Sequence, residues 1–210
     1  MIITYHNGGF IKITNGDTTV AINPISKKSN LKEVRFGADL ALVSVNHSDC
    51  NGIDSVIRSG KDMFVIDGAG EYEVGGVFTK GVAVNTKYDG EEMINIIYSL
   101  YIEDIHILYL GALGNEKLTS KMLSGIDDID ILFVPVGEEN GESGTLDATM
   151  ANKLANSLEA KMVIPIFYDE NSLKTYLKEA SAEGVKAIEK LVLKKKDLDG
   201  KSGEVVVLGA

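Results

Sequence analysis

The densest chemistry in this sequence lies in Asn46-His47-Ser48-Asp49-Cys50-Asn51. An imidazole, a carboxylate and a thiol fall within four residues, and each is a ligand type that zinc accepts. The spacing admits three readings. His47, Asp49 and Cys50 hold a metal. Alternatively, His47 serves as base to a Cys50 nucleophile whose pKa a helix start would lower. In the third reading the group is structural: His47 and Asp49 hydrogen-bond across a strand-to-helix turn, Asp49 satisfies helix N-terminal amides, and Cys50 packs as a small apolar residue.

Other candidates are sparser. His6 follows a strand and either faces the same pocket or lies on its polar rim. His106 sits within a strand and reads as structural. Asp67, Glu71 and Glu73 flank a glycine-rich stretch, where carboxylates pair as acid and base or accept backbone N–H groups. Glu138, Glu139 and Glu142 crowd the loop 137–144, an acidic rim that a divalent cation would visit only weakly. Lys194-Lys195-Lys196 runs straight into Asp197 and Asp199 and reads as a solvated strand end.

These groups need rigid elements to position them. Leu40 to Val45 is a short apolar run bounded by polar residues, the signature of a strand covered on both faces. A helix is expected over 53–58. The first third is otherwise β: strands over 2–5, 10–14 and 18–22, with Asn15-Gly16 as a hairpin turn. Further strands follow over 63–66, 77–84, 93–101 and 106–110, with the glycine-rich stretch 67–76 read as a turn. The last third alternates. A helix is expected near 116–123, a strand over 131–136, and a helix over 147–158 capped by Thr145 with Met150, Leu154 and Leu158 inward. A strand over 162–166 and a helix over 172–182 come next. The chain then closes in a hairpin, 187–195 pairing with 205–208. This order predicts a single domain over 1–210 of the α/β class, with two sheets face to face and helices outside: a four-layer αββα sandwich.

Composition bounds the partners. The 210 residues carry 31 acidic and 21 basic side chains, a net charge of −10, which argues against nucleic acid. No apolar run is long enough for a membrane span, and the start lacks a signal-peptide pattern. A lone cysteine makes no internal disulfide, and together these features favour a cytoplasmic protein.

Several segments resemble, in order, the UlaG-like branch of the metallo-β-lactamase superfamily, the Zn-dependent hydrolases of the β-lactamase fold. They are TYHNGGFIKI, TTVAINPI, ADLALVSVNHSDCNGID, GAGEYEVGGV, ILYLGALG, and DIDILFVPVG followed by TLDATMANKLANSLEAKMVIPIFYD. The resemblance spans roughly residues 2 to 170 and implies a two-zinc site that activates water, lowering its pKa from about 16 toward 7. Carried over residue by residue, the family's ligand set is mostly absent. His47 and Asp49 match, but the first histidine falls on Val45 and the third on Cys50. The next falls near Thr86 or Lys87, the bridging aspartate on Ala112, and the last histidine on Phe167. The aspartate before the early proline is Asn23. A catalytic zinc needs three protein ligands and an open position.

The resemblance therefore implies a metallo-β-lactamase-like domain that has lost most metal ligands, binds no metal, and serves as a non-catalytic binding or assembly module. The alternative is a metal-dependent hydrolase, with zinc as cofactor, on a rearranged site of His47, Asp49 and Cys50, with His6 moving in. A third reading is a homo-oligomeric scaffold anchored by Tyr72, Tyr88 and Tyr101.

Overall fold

A computed structural model describes residues 1–60, 62–114, 118–119, 122–137 and 144–210. The strands in chain order are β1 (Ile2–Tyr5), β2 (Ile11–Asn15), β3 (Thr18–Ile22), β4 (Leu40–Leu42), β5 (Phe64–Ile66), β6 (Gly70–Val74), β7 (Val77–Tyr88), β8 (Glu91–Ile102), β9 (Ile105–Tyr109), β10 (Ile131–Pro135), β11 (Met162–Ile166), β12 (Leu191–Val192) and β13 (Glu204–Val205). The α-helices are α1 (Ala148–Ser157) and α2 (Glu170–Glu179). One sheet runs β12-β1-β2-β3-β4-β5 and the other β13-β11-β10-β9-β8-β7-β6.

Alternation builds the interior. Ile11, Ile13, Val20 and Ile22 face Tyr98, Leu100, Tyr109 and Phe133 across the sandwich, all buried. β9, β10 and β11 are buried at every position because helices cover their second face. α1 lays Ala148, Ala151 and Ala155 on that face, and its N-cap is Asp147, which accepts from the Met150 N–H at 2.8 Å. Leu154 and Leu158 pack beside them, partly buried, as expected. Met150 is exposed, because alanines let the helix sit closer to the sheet than methionine would. The first sheet's outer layer has no α-helix among the described residues. Irregular chain around Ile25, Leu31, Phe36 and Ala38 fills it, against the small Ala21 and Ala41. The expected helix over 53–58 is one 3-10 turn, Ile53–Ser55.

Two further expectations change. The glycine-rich stretch contains an edge strand, β6, so Glu71 and Glu73 lie on a strand and both are exposed. The closing hairpin does not form as one unit: β12 pairs with β1 in the first sheet, and β13 pairs with β11 in the second. Half of the expected helix near 116–123 (116, 117, 120 and 121) lies outside the described residues, as do Glu138, Glu139 and Glu142. No helix among the described residues is long and apolar enough to cross a membrane.

Candidate functional site

The chain leaving β4 crosses from one sheet to the other, and this crossing holds the site. The Ile96 N–H donates to the Ser44 carbonyl at 2.8 Å, and Val45 bridges to Asn95 of β8. The Tyr98 hydroxyl sits 2.8 Å from the Val43 carbonyl and 3.0 Å from that of Ile66. Residues 46–51 then coil tightly. The Cys50 and Asn51 N–H groups both donate to the His47 carbonyl at 2.9 Å.

His47 and Asp49 meet on the wall of a cleft of about 330 Å³, floored by Tyr88 and Phe167 and rimmed by Lys28, Asn30 and Asp89. The Asp49 N–H donates to His47 Nδ1 at 3.3 Å, an arrangement that leaves the ring proton on Nε2. Nε2 faces the Asp89 carboxylate at 3.5 Å, and Nδ1 lies 3.5 Å from the Asp49 carboxylate. Asp49 does not serve helix amides. It accepts the Tyr88 hydroxyl at 3.1 Å and the Ser29 hydroxyl, so it ties the turn to the hairpin tip and to the 26–37 connection.

Cys50 points the other way. It is fully buried beside Val45, Tyr88 and Ala112, with Met93 and Phe167 packed against them. Burial, and then the Asp49 carboxylate, push its thiol well above the ordinary range, so thiolate is disfavoured. Burial likewise raises the Tyr88 phenol, with Cys50 and Asp49 adding to it. Thr86 donates its hydroxyl to the Ala112 carbonyl at 2.7 Å. Gly144 is required where these walls meet, since a Cβ there would fall 1.5 Å from the Lys87 carbonyl oxygen.

Beneath the cleft lies a buried network of neutral groups. The Asn23 amide donates to the Ser44 and Tyr109 hydroxyl oxygens, both at 2.8 Å, and accepts the Ser44 N–H at 2.7 Å. Asn95 donates to the Leu110 carbonyl and accepts the Ala112 N–H, both at 2.9 Å. Phe167 closes the other side in a left-handed conformation, φ +58°, with its N–H on the Gly8 carbonyl at 2.7 Å. Gly9 makes room for it, as a Cβ there would meet the Phe167 ring at 2.3 Å.

The remaining candidates lie apart from this cleft. His6 packs at a tilt against Phe10 and Phe36 in the outer layer of the first sheet, at 5.1 and 5.9 Å between ring centres. Burial, and then Lys12, lower its pKa, which keeps it neutral. His106 is buried between the Ser99 hydroxyl at 2.8 Å and the Asp127 carbonyl at 2.7 Å. Tyr88 is mostly buried and forms cleft floor rather than a surface anchor. Sequence reasoning missed Asp89, Ser44 and Tyr109 as parts of the site, read Tyr88 as a surface anchor, and noted Asn23 only as a replacement for an aspartate, because these are common residue types whose meeting depends on the fold.

Residues 2–167 match the family described as the beta-lactamase superfamily domain. The chain belongs to that superfamily. It is 27% identical over 203 residues to a metal-dependent hydrolase of Anoxybacillus flavithermus, covering 80% of this chain and 86% of that protein. A Listeria monocytogenes metal-dependent hydrolase is 26% identical over 202 residues, with the same coverage. Among solved structures, a Zn-dependent hydrolase of the metallo-beta-lactamase superfamily from Thermotoga maritima superposes with a TM-score of 0.77 at 28% identity. It covers 99% of this chain and 97% of its own. A metal-dependent hydrolase from Parabacteroides distasonis shares the fold, with a TM-score of 0.64 at 18% identity and coverage of 98% and 91%.

Superfamily membership implies a metal centre, and the donor set here does not fit one. Among the described residues no three His, Cys, Asp or Glu side chains are placed so that they could hold one metal ion; Asp49 and Asp89 lie against different nitrogens of the His47 ring. Val45, Ala112 and Phe167 have no lone pair to give. Cys50 is turned into apolar packing, His47 Nδ1 accepts the Asp49 N–H, and the Asp49 carboxylate accepts the Tyr88 and Ser29 hydroxyls. A bare divalent ion beside this apolar cluster would lose hydration that nothing replaces.

Proposed function

We propose that this superfamily member has lost the catalytic metal centre and works as a binding or assembly module, with the His47–Asp49 cleft as a small-molecule pocket. One observation carries the reading: Val45, Cys50, Ala112 and Phe167, four of the positions where the resemblance implies ligands, come together as one apolar cluster. Asn23 supports it. Near a divalent cation a carboxylate is favoured at such a position, whereas here an amide donates to two hydroxyls. The test is metal analysis of protein purified without chelator, followed by zinc titration. Substoichiometric metal and no tight titration are expected. Near-stoichiometric zinc held with sub-micromolar affinity overturns the reading.

A second reading is a metal-dependent hydrolase with a rearranged site. The names of the relatives favour it, as does the meeting of His47 and Asp49 on the cleft wall. It requires that His47→Ala and Asp49→Ala abolish both metal content and hydrolysis of phosphodiester or lactone substrates. Unchanged values in both variants rule it out.

A further inference from the structure

The outer face of the second sheet carries a row of side chains in cross-strand register, at the end of β7 and β8 opposite the cleft. Glu73 of β6 pairs with Phe78 of β7, Phe78 with Tyr101 of β8, and Tyr101 with His106 of β9. Phe78 and Tyr101 are 52% and 40% exposed, large for neighbouring aromatic rings. The platform is rigid. His106 lies parallel to Tyr101, 4.1 Å between ring centres and 11° between planes, and both its ring nitrogens are engaged. Carboxylates surround the pair. Glu71 and Glu73 stand on the same face of β6, and Asp127 and Asp128 act on the Tyr101 phenol. Lys80, in the next row, spends its ammonium on the Ser124 carbonyl at 2.6 Å.

β6 is also the last strand of its sheet, so among the described residues one of its backbone edges faces no neighbour. Open edges accept an added strand. The charges select which strand. A second copy pairing β6 with β6 brings glutamate against glutamate, which is unfavourable. Nucleic acid and anionic lipid are repelled for the same reason. A strand with basic residues at alternate positions places them opposite Glu71 and Glu73, and lets a guanidinium cover Phe78 and Tyr101.

The geometry points to this β6 edge and its Phe78–Tyr101 platform as a docking site for an extended, arginine- or lysine-bearing segment of a protein partner. It uses none of the cleft residues, so it stands or falls independently of the metal question. The experiment is a ¹⁵N chemical-shift titration of the full chain with a short peptide alternating arginine and threonine, and with its glutamate counterpart. Shifts confined to residues 70–74, Phe78 and Tyr101 are expected with the basic peptide alone, weakening as salt is raised. Replacing both Glu71 and Glu73 by lysine is expected to weaken binding by about tenfold or more, from two lost cross-strand charge pairs. Phe78→Ser, at an exposed position that leaves the core intact, weakens it through loss of the cation–π contact. Equal binding of the glutamate peptide, shifts elsewhere on the surface, no binding at millimolar peptide, or indifference to Phe78→Ser overturns the inference.

Discussion

Phe167 is held where few aromatic residues go. A left-handed backbone costs a side chain of this size on the order of 1–2 kcal/mol, and the Gly8 carbonyl and the Gly9 gap are what keep it there. Gly9→Ala is therefore expected to destabilise the fold in the parent protein. The cost should shrink, without vanishing, in a Phe167→Ala background, because the Tyr109 hydroxyl also lies 2.6 Å from the added Cβ. A double-mutant cycle by chemical denaturation reads this coupling, and purely additive costs contradict it. Asn23 makes a second case. Asn23→Asp buries a carboxylate in a neutral network, which raises its folded pKa above the unfolded value near 3.9. A raised acid is stabilising below the unfolded pKa and loses that contribution as pH rises through the folded one. The deficit relative to the parent is thus expected to be larger at pH 7.5 than at pH 4.5. Equal deficits would show that the network absorbs the charge. At this scale the sequence was legible at Val45, Ala112 and Phe167 as far as residue type goes: apolar side chains without a donor atom, which pack in one cluster. It was not legible at Asp49, whose partners Ser29 and Tyr88 come from segments 20 and 39 residues away.

The β7–β8 hairpin organises the site at the level of elements. One end reaches the cleft through Tyr88 and Asp89, and its middle binds the 43–46 crossing through Asn95 and Ile96. Asn95→Ala leaves the buried Ala112 N–H without its acceptor and the Leu110 carbonyl without its donor. A loss of about 1–3 kcal/mol is expected for each group so orphaned, measured as a shift in denaturation midpoint at unchanged slope. An unchanged midpoint would mean that water replaces the amide. The sequence placed both strands of this hairpin correctly but ended β7 near Val84, four residues early. Alternation of buried and exposed residues continues to Tyr88, and Lys87-Tyr88-Asp89-Gly90 resembles a turn although only Asp89 and Gly90 form it. The outer layer over the first sheet was less legible still, because 26–37 has no helical period and owes its shape to the surface beneath it.

On the scale of the whole molecule, the second sheet is fastened to the distal chain by buried charge. Asp130 is fully buried; its Oδ1 accepts the Lys161 ammonium at 2.8 Å, and its Oδ2 accepts the His106 N–H at 2.8 Å together with the Lys195 ammonium. Burial alone would raise its pKa, but these donors outweigh that and lower it. His106 is also lowered, chiefly by burial. Both shifts act in the same direction. A depressed folded pKa gives stability above the unfolded value that is lost as pH falls through the folded one. His106 weakens the fold as pH drops below about 6.5, and Asp130 below about 3.9. Thermal melts are expected to fall progressively on acidification from pH 7. A His106→Gln variant should flatten the part between pH 6.5 and 5, whatever its own baseline, and an unaltered slope assigns that loss to other groups. The two-sheet architecture and the helical layer over the second sheet were readable from the sequence because strand alternation and helix–strand succession are local patterns. The destination of residues 187–208 was not, since two short apolar runs flanking Asp199-Gly200 fit a hairpin as well as they fit separate sheets.

That division of the distal segment has a kinetic side. β12 completes the first sheet on β1, and the Met1 ammonium donates to the Leu193 carbonyl across 192 positions of sequence, while β13 completes the second sheet on β11. Contacts of such separation form late, after the entropy of closing a long loop has been met. A growing chain would therefore display two unfinished sheet edges at once, β1 and β11, until residues 191–205 have left the ribosome. During that interval the nascent chain is exposed to strand exchange with its neighbours, and one short segment ends the exposure on both sheets together.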